Sequence, residues 1–566
     1  MELMKLTSNV KQIQDDVLKE ILTLNANTEY LRGYLHGAYD KELFKKNVPV
    51  VSYDDVKPYI ERVANGEPSN VISGKPITRF LLSSGTSGGK QKIFPVNNKF
   101  FEDMAFIFAL RSSLISKHIE GDEKGKVVML FFAREQSITP CGLPISTSVT
   151  GYLLSDSFKN RPSNCFTSPD EVTLCPDVKQ TMYCHLLCGL RQRDEVVAMA
   201  ASFASSLVGA VTFFESYWKE ICSNIRSGNV SEWITDLSCR EAVTNILGGG
   251  NSELADNIEE ECNKKSWKGI IPRLWPNVKF IQSIVTGQNS QYIPMLEFYS
   301  NKVHLFSPAY GSSETMFGVN VNPLCKPEDV SYTFMPNISY FEFILADEGN
   351  KGEIVDLVHV EIGTMTNTGR QLWAGAEEIG LEVWYFGGKE EVPYEDLPRS
   401  DKRRKTTRNK KEEDVVYTDI EWEIFYKCLD FTIMHLNLDL LLMGFTSYAD
   451  ISTLPGHYIF YWELKAKNIS DTIKPDNKVL VECCCVMEES LSTLYREIRS
   501  KDGSIGPLEI RVVQQGTFNS LMEFSISQGA SPSQYKTPMC IKSSEALVVL
   551  DNNVLARFFS DKSPPF

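Results

Sequence analysis

The chain is short of basic side chains. Its 566 residues include 58 lysines and arginines against 73 aspartates and glutamates, which gives a formal net charge of −15. This balance disfavours the phosphate backbone of a nucleic acid and the headgroups of an anionic membrane, because both partners are themselves negative. We therefore expect no nucleic-acid partner and no membrane partner.

The chain also lacks a long uninterrupted apolar run. Residues 1–22 follow an amphipathic pattern that contains two adjacent aspartates, which predicts a surface helix and not a signal peptide. The most apolar late stretch, 429–445, carries Asp430 and Asp439, and two carboxylates oppose a membrane span. These patterns predict a soluble, cytoplasmic protein.

The cysteines lack the spacing of metal ligands. There are 14 of them, including Cys184 and Cys188 with His185 between them, and the consecutive run from Cys483 to Cys485. Neither group has the paired spacing of a zinc site. The sequence therefore predicts reduced, mostly buried thiols that act as small hydrophobic residues.

A hydroxyl- and glycine-rich loop, SSGTSGG at 83–89, lies between an apolar segment at 77–82 and a short apolar run at 93–94. Glycines allow tight turns and bring main-chain N–H groups close to an anion, and hydroxyls add further donors. The loop therefore predicts a site for the phosphates of a nucleoside triphosphate. Its candidate side-chain donors are Ser83, Ser84, Thr86 and Ser87.

This loop differs from a P-loop. A P-loop needs four residues between its first glycine and a Gly-Lys pair that is followed by Ser or Thr. Here three residues separate Gly85 from Gly89, and Gln91 follows Lys90 where a magnesium-binding hydroxyl would be needed. The spacing disfavours a P-loop kinase or NTPase, and a flexible Ser/Gly turn between strands stays open as the alternative.

A second motif, Tyr-Gly-Ser-Ser-Glu at 310–314, follows a strand-like run at 303–306. It offers the ring of Tyr310 to a base, the hydroxyl of Ser313 to a phosphate and the carboxylate of Glu314 to Mg²⁺. A buried strand tyrosine and a surface glutamate are the alternatives for the first and the last of these. Together with the loop at 83–89, the motif favours an adenylate-forming site.

Apolar strand patterns alternate with longer helical patterns along the chain. Residues 127–132 are predicted to form a strand and residues 193–218 a helix. This alternation is typical of an α/β fold.

Another predicted helix, at 101–118, has a face with mixed chemistry. Phe108 and Arg111 are three positions apart and therefore share that face. The first supplies apolar area and the second a cation that pairs well with a carboxylate. A solvated arginine on an amphipathic helix is the alternative.

These motifs belong to a longer series that resembles one family. The chain is similar to the plant Gretchen Hagen family of acyl-acid amido synthetases, within the adenylate-forming superfamily. The similarity covers most of the chain and is greatest to the branch that joins benzoate-type acids to glutamate. Its main segments are SSGTSGGKQK, WKGIIPRLWPNVKFI, YGSSET, LCKPEDVSYTFMPNISYFEF, STLPGHY, DGSIGPLEIRVV and SQYKTPMC.

The resemblance implies an ATP- and Mg²⁺-dependent ligase. Such an enzyme adenylates a small carboxylic acid, of benzoate type or an auxin- or jasmonate-like hormone, and transfers the acyl group to an amino acid such as glutamate. It also implies a large N-terminal domain, with a β-barrel and sheets flanked by helices, and a smaller, mobile α/β C-terminal domain. The expected partners are the two small-molecule substrates, and the expected state is a monomer.

The resemblance also implies roles for single residues. Phe108 and Arg111 correspond to the acyl-substrate pocket of the family. Lys536, in the SQYKTP segment, corresponds to the catalytic lysine that approaches the phosphates and the acyl group during adenylation. Tyr310 or Tyr340 is expected to stack on adenine.

The resemblance breaks between Leu357 and Phe445. The family motif Tyr-Arg-x-x-Val-Gly-Asp, whose aspartate binds the ribose hydroxyls, is missing there, as is the basic hinge residue that follows it. The atypical residues are 358–398 and 415–444. The predicted N-terminal domain, hinge and C-terminal domain are 1–398, 399–414 and 415–566. The missing motif leaves open a second hypothesis, a catalytically impaired relative that binds the acid without turnover.

Overall fold

The computed structural model describes most of the chain outside the atypical segment. The described residues are 2–83, 91–119, 125–162, 164–345, 354–359, 366–373, 381–384, 440–468, 477–491, 493–528 and 535–565. The predicted hinge at 399–414 lies outside them, as do Asp430 and Asp439.

Five helices form the N-terminal layer. Two helices replace the one predicted for the N-terminus. The longer of them turns one face inward, because Leu18, Ile21 and Leu22 recur at helical spacing and are each 1 % exposed. The five helices are α1 (Glu2–Ser8), α2 (Val10–Asn25), α3 (Glu29–Leu35), α4 (Lys41–Asn47) and α5 (Tyr53–Ala64).

The first sheet has the order β2-β1-β5-β4. Its strands are β1 (Arg79–Leu82), β2 (Ile93–Val96), β4 (Ser137–Ile138) and β5 (Pro144–Thr147). Strands β1 and β2 pair in antiparallel fashion, so the predicted phosphate loop connects the two strands of a hairpin. This confirms the two apolar segments predicted on either side of the loop.

A wholly parallel sheet with the order β3-β6-β7-β8 forms the largest core. Its strands are β3 (Lys126–Leu130), β6 (Val196–Phe203), β7 (Phe280–Ile284) and β8 (His304–Phe306). Helices α10 (Val178–Arg191) and α11 (Ala204–Ser227) pack against it. The strand predicted at 127–132 is confirmed within two residues at each end.

The helix predicted over 193–218 is wrong in its first half. Residues 196–203 form strand β6, and the helix α11 begins only at Ala204. The run VVAMAASF is apolar on both faces because β6 lies between β3 and β7 and is covered by helices on its faces, so it shows no period-two alternation. A short, continuous apolar run of this kind does not distinguish a strand from a buried helix.

The remaining helices of the larger part surround these sheets. The helix predicted at 101–118 is confirmed as α6. These helices are α6 (Asn98–His118), α7 (Ser148–Leu153), α8 (Asp156–Lys159), α9 (Asp170–Thr173), α12 (Leu237–Leu247), α13 (Ser252–Cys262), α14 (Ile270–Leu274) and α15 (Ile293–Ser300).

Two further antiparallel sheets follow the parallel one. The first has the order β11-β10-β9, with β9 (Ala309–Gly311), β10 (Met316–Val319) and β11 (Thr333–Phe334). The second has the order β13-β12-β14-β15, with β12 (Ser339–Leu345), β13 (Ile354–Asp356), β14 (Thr366–Trp373) and β15 (Leu381–Trp384). Strands β9 and β10 form a hairpin whose turn contains the end of the YGSSE motif.

The smaller, C-terminal part is a sheet between two helical layers. The sheet order is β16-β17-β18-β19, with β16 (Leu440–Asp450), β17 (His457–Ala466), β18 (Glu509–Val513) and β19 (Val554–Phe559). Its helices are α16 (Asn477–Ser490), α17 (Thr493–Glu497), α18 (Thr517–Ser527) and α19 (Ser544–Asp551). The first two contribute to the core on one face and the last two to the core on the other.

Polar contacts join the smaller part to the larger one. Lys465 at the end of β17 forms an ion pair with Glu215 on α11. The hydroxyl of Ser266 donates a hydrogen bond to the backbone oxygen of Lys467 at 2.9 Å. The C-terminal part is therefore held against α11 and the segment before α14.

The cysteines of the described residues are free thiols, as predicted. Thirteen of the 14 lie in the described part of the chain, and nine of these are buried. Cys184, His185 and Cys188 are each 0 % exposed inside α10. The His185 ring bonds to Ser168 Oγ at 2.7 Å and to the Phe131 backbone oxygen at 3.0 Å, so its two nitrogens are used within the core.

Among the described helices, none has both the length and the apolar character needed to cross a bilayer.

Candidate functional site

Polar groups collect where the parallel strands end. Strands β7 and β8 are followed closely by Thr286 and Ser307. The hydroxyl of Tyr332 lies between them, 3.1 Å from Thr286 Oγ1 and 2.8 Å from Ser307 Oγ. Ligands of open α/β sheets bind outside the carboxyl ends of the strands, and this edge is such a place.

Two tyrosine rings face each other beside this edge. The rings of Tyr310 and Tyr332 are stacked, with centroids 5.7 Å apart and planes 28° apart. Both side chains are partly exposed. Tyr332 lies in the family-like segment LCKPEDVSYTFMPNISYFEF, but no local pattern distinguishes it from the other aromatic residues of that segment. Only the structure shows that its hydroxyl is hydrogen-bonded to Thr286 and Ser307 at the end of the parallel strands.

The turn between β9 and β10 presents Glu314. The Ser312 backbone N–H donates to the Thr315 oxygen at 2.9 Å, and the Glu314 N–H donates to Ser312 Oγ at 3.2 Å. Gly311 suits this tight hairpin, because a Cβ at that position would lie 2.7 Å from Met316 Sδ and 3.0 Å from the Thr315 backbone oxygen, so that Met316 would have to shift. Ser313 occupies the same turn and is partly exposed.

Glu314 is a carboxylate in an unfavourable place for its charge. It lies deep among protein atoms while part of its surface remains open, and burial raises its pKa despite the hydrogen bond with Ser312 and the charge of Lys92. A divalent cation would remove this penalty, and oxygen ligands suit Mg²⁺. The residue type and setting therefore fit the predicted metal ligand.

The base of the predicted phosphate loop is closed by a pair of hydrogen bonds. The Ser83 N–H donates to the Lys92 oxygen at 2.9 Å, and the Lys92 N–H donates to Ser83 Oγ at 2.9 Å. Ser83 therefore fixes the base of the loop. Ser84, Thr86 and Ser87 lie outside the described residues. The charge of Lys92 acts on Glu314, so the base of the loop lies near the YGSSE turn.

Arg111 is a partly exposed cation in an aromatic setting, with its Nε enclosed by protein atoms. Its guanidinium lies 4.7 Å from the Phe108 ring centroid, and the Tyr152 ring stands edge-on to Phe108 at 4.9 Å. Within the described part of the chain, Arg111 Nε is buried without a hydrogen-bond partner. Burial lowers the pKa of Arg111 to about 10. The shared face predicted for Phe108 and Arg111 is thus confirmed, and no carboxylate of the described residues forms an ion pair with Arg111.

Lys536 is a second, partly exposed cation. Its Nζ lies 5.0 Å from the ring centroid of Phe203, the last residue of β6. Burial lowers its pKa, and no carboxylate of the described residues acts against that shift. Lys536 comes from the C-terminal part but lies at the carboxyl edge of the parallel sheet.

Comparison with known proteins identifies the family. The GH3 family N-terminal domain matches residues 1–305, and the GH3 family C-terminal domain matches residues 427–545. The 4-substituted benzoates-glutamate ligase GH3.12 of Arabidopsis thaliana is 52 % identical over 574 residues, which cover 99 % of this chain and 98 % of that protein. The chain belongs to the GH3 family.

Other GH3 proteins agree with this assignment. The indole-3-acetic acid-amido synthetase GH3.17 of Arabidopsis thaliana is 44 % identical over 592 residues, covering 99 % of this chain and 95 % of the relative. The solved structure of AtGH3.15 acyl acid amido synthetase in complex with 2,4-DB has a TM-score of 0.87 and 44 % identity, and covers 100 % of this chain and 97 % of that one. The predicted family, fold class and enzyme class, an acid–amino-acid ligase, are confirmed.

One residue predicted for the nucleotide site of this GH3 protein is not supported by its position. Tyr340 is 1 % exposed and stands edge-on to Phe44. Its hydroxyl lies 2.9 Å from Asp356 Oδ1 and 3.2 Å from Glu342 Oε1, and its single hydrogen is shared between these two acceptors. The ring has no open face for adenine in this structure, because β12 turns it toward the N-terminal helices.

His457 of the PGHY segment belongs to a polar network of the C-terminal sheet. Its Nε2 bonds to Glu509 Oε2 at 2.9 Å, and Arg511 donates to both oxygens of the same carboxylate at 2.9 Å. His457, Glu509 and Arg511 therefore form hydrogen bonds with one another inside the GH3 C-terminal part. This position supports a structural role for His457.

Proposed function

We propose that this GH3 protein uses ATP and Mg²⁺ to adenylate a small benzoate-type acid and then joins the acyl group to an amino acid such as glutamate. The observation that carries the proposal is the buried Nε of Arg111, which has no hydrogen-bond partner among the described residues and lies beside Phe108. A buried charge without a counter-ion is costly, and a carboxylate ligand would relieve that cost. The similarity to a benzoates-glutamate ligase supports the choice of acid and acceptor.

The chemistry follows from the substrates. A carboxylate is a poor electrophile, because its charge repels an amine and oxide is a very poor leaving group. In the first step a carboxylate oxygen attacks the α-phosphorus of ATP, the bond to the β-phosphate oxygen breaks, and pyrophosphate leaves. In the second step the amine attacks the acyl carbon and AMP leaves. The amine loses one proton as the amide forms.

Arg111 and Phe108 are proposed to hold the acid. The guanidinium pairs with the carboxylate through two parallel N–H donors, and the aromatic rings of Phe108 and Tyr152 provide apolar surface for a benzoate ring. The pair also orients the carboxylate, because a bidentate contact fixes both oxygens. An aryl acid thus fits this pocket better than a polar one.

The phosphates are proposed to lie between the 83–89 loop and the edge of the parallel sheet. Ser84, Thr86 and Ser87 would donate to phosphate oxygens, with Ser83 fixing the base of the loop and Ser313 as a further donor. Lys536 would approach the α-phosphate from the C-terminal part, where its charge matches the charge that develops in the transition state. Bound at Glu314, Mg²⁺ would neutralise charge on the phosphate oxygens.

The adenine is proposed to bind against Tyr310 and Tyr332. Their stacked rings already form an aromatic surface at the carboxyl edge of β7 and β8. Stacking of a base on such a surface needs no base-specific hydrogen bond. We also propose that the protein is monomeric and cytoplasmic, and that its two domains meet at 399–414.

A second function is favoured by one sequence observation. The ribose-binding motif of the family is missing from 358–444, and without its aspartate ATP would be held by phosphates and base alone. The chain would then bind the acid at Arg111 without turnover. This alternative predicts acid binding that is independent of ATP.

Pyrophosphate exchange distinguishes the active ligase from a relative that binds the acid without turnover. The purified full-length chain is incubated with ATP, Mg²⁺, labelled pyrophosphate and one acid from a panel of 4-substituted benzoates, indole-3-acetate and jasmonate. Exchange that requires a benzoate supports the ligase. Acid binding in calorimetry without any acid-dependent exchange supports the impaired relative and overturns the ligase.

A further inference from the structure

Both neighbours of Lys536 are anchored to the larger part of the molecule. The Ser205 hydroxyl donates to the Tyr535 backbone oxygen at 3.2 Å. On the other side, the hydroxyls of Tyr292 and Thr537 are hydrogen-bonded at 2.9 Å, and the two residues are only 7 % and 2 % exposed. Lys536 thus lies between two tethered residues.

The two anchors come from different elements of the GH3 N-terminal domain. Ser205 lies in the first turn of α11, directly after β6, which ends at Phe203. Tyr292 directly precedes α15. Because Lys536 belongs to the C-terminal domain, these hydrogen bonds fix its backbone relative to the edge of the parallel sheet where the phosphates are proposed to bind.

A lysine needs such anchoring more than most catalytic groups. Its four-carbon chain is flexible, and its ammonium is a point charge without a preferred geometry of its own. The Phe203 ring contacts the ammonium of Lys536 on one side. The anchored backbone fixes the position of the Cα atom from which the lysine side chain extends. Small displacements of a catalytic group cost much rate, so the anchors act on the rate rather than on binding.

We propose that Ser205 and Tyr292 are positioning residues that set Lys536 for adenylation. The proposal rests on the proposed function, in which Lys536 acts on the α-phosphate. Tyr292→Phe removes one buried hydrogen bond while keeping the ring, and Ser205→Ala removes the other. Each should lower kcat of acid-dependent pyrophosphate exchange roughly 10-fold and leave KM for the acid unchanged.

A double-mutant cycle tests whether the decrease in kcat depends on the side chain of Lys536. Tyr292→Phe and Ser205→Ala are each measured in the native chain and in a Lys536→Ala background. If the anchors act through the ammonium, neither has a further effect once it is gone. An equal loss in both backgrounds overturns the proposal, and so does a Lys536→Ala variant that exchanges pyrophosphate at the native rate.

Tyr183→Phe is the matched control. The Tyr183 hydroxyl donates to Asn224 Oδ1 at 2.7 Å, so this change also removes a buried tyrosine hydrogen bond, but within the larger part alone. It should reduce thermal stability and leave kcat near the native value. A kcat loss equal to that of Tyr292→Phe would make the effect structural and overturn the proposal.

A second measurement does not depend on activity. Brief acetylation with acetic anhydride, followed by peptide mass spectrometry, reports how open the Lys536 amine is. Tyr292→Phe should speed its acetylation roughly threefold or more, while Tyr183→Phe should not. An unchanged rate overturns the positioning proposal even if the protein proves inactive, whereas inactivity with a changed rate overturns only the proposed function.

Discussion

Replacement of Arg111 by methionine should separate the stability of the protein from its affinity for an acid. Burial lowers the pKa of Arg111 from 12.5 to about 10. At about 1.4 kcal/mol per pKa unit, this corresponds to roughly 3 kcal/mol against the charged form. Because the side chain is partly exposed, solvent screening reduces the effect, and we expect about 1–2 kcal/mol.

Arg111→Met removes this unpaired charge and keeps most of the apolar volume. The ligand-free variant should therefore unfold about 1–2 °C above the native chain, because a chain of 566 residues has an unfolding entropy of about 1.2 kcal/mol/K. Acid binding should weaken roughly 30-fold or more, because loss of one partner of a buried charge pair costs about 2–5 kcal/mol. The opposite signs of the two effects are the signature of a binding residue that is costly to the fold.

Thermal unfolding with and without a 4-substituted benzoate measures both quantities. At about 100 times its Kd, the acid should stabilise the native chain by about 2.7 kcal/mol, and by under about 1 kcal/mol in the variant at the same concentration. Arg226→Met is the control, since Arg226 is paired with Asp256 and Glu259 on the surface. An Arg111→Met variant that keeps the full acid response, or that loses stability, would refute the reasoning.

Four further predictions concern ATP, the metal and pH. Thr86→Ala should raise KM for ATP about 10-fold without changing acid affinity in calorimetry, and equal loss of both would contradict the phosphate role. Glu314→Gln should abolish the Mg²⁺ requirement together with about 99 % of exchange. Because burial raises the pKa of Glu314, the metal-free native chain should lose stability as pH rises from 4.5 through that raised value, and Glu314→Gln should lack this loss in chemical denaturation. Burial lowers the pKa of Lys536, so exchange should fall on the alkaline side below pH 10.5, and Lys536→Arg should extend activity to higher pH; an unshifted profile would exclude Lys536 as the titrating group.

The local sequence pattern was sufficient to predict those parts of the fold in which apolar residues recur at regular spacing. Helix α6 followed from its amphipathic sequence, and the shared face of Phe108 and Arg111 followed from the helical repeat. The two apolar segments beside the phosphate loop were evident in the sequence, and the structure pairs them as strands β1 and β2. These features depend on neighbours in sequence, which is why sequence alone predicts them.

Features that depend on distant contacts were not predictable. Strand β6 reads as part of a helix, because its burial comes from β3 and β7, which are remote in the chain. Tyr340 differs from Tyr310 only in what packs on it, since Phe44 and Asp356 close its surroundings. Tyr332 gains its place through Thr286 and Ser307, which no motif connects to it. Tertiary packing, not local propensity, determines all three.

The most direct test of the central claim follows an oxygen atom. A benzoate labelled with ¹⁸O in its carboxylate is incubated with the protein, ATP, Mg²⁺ and glutamate, and the nucleotide product is analysed by mass spectrometry. If the carboxylate attacks the α-phosphorus, one ¹⁸O atom appears in AMP for each amide formed. Label found in inorganic phosphate with ADP as the nucleotide product, or amide formed without any label in AMP, would contradict adenylation.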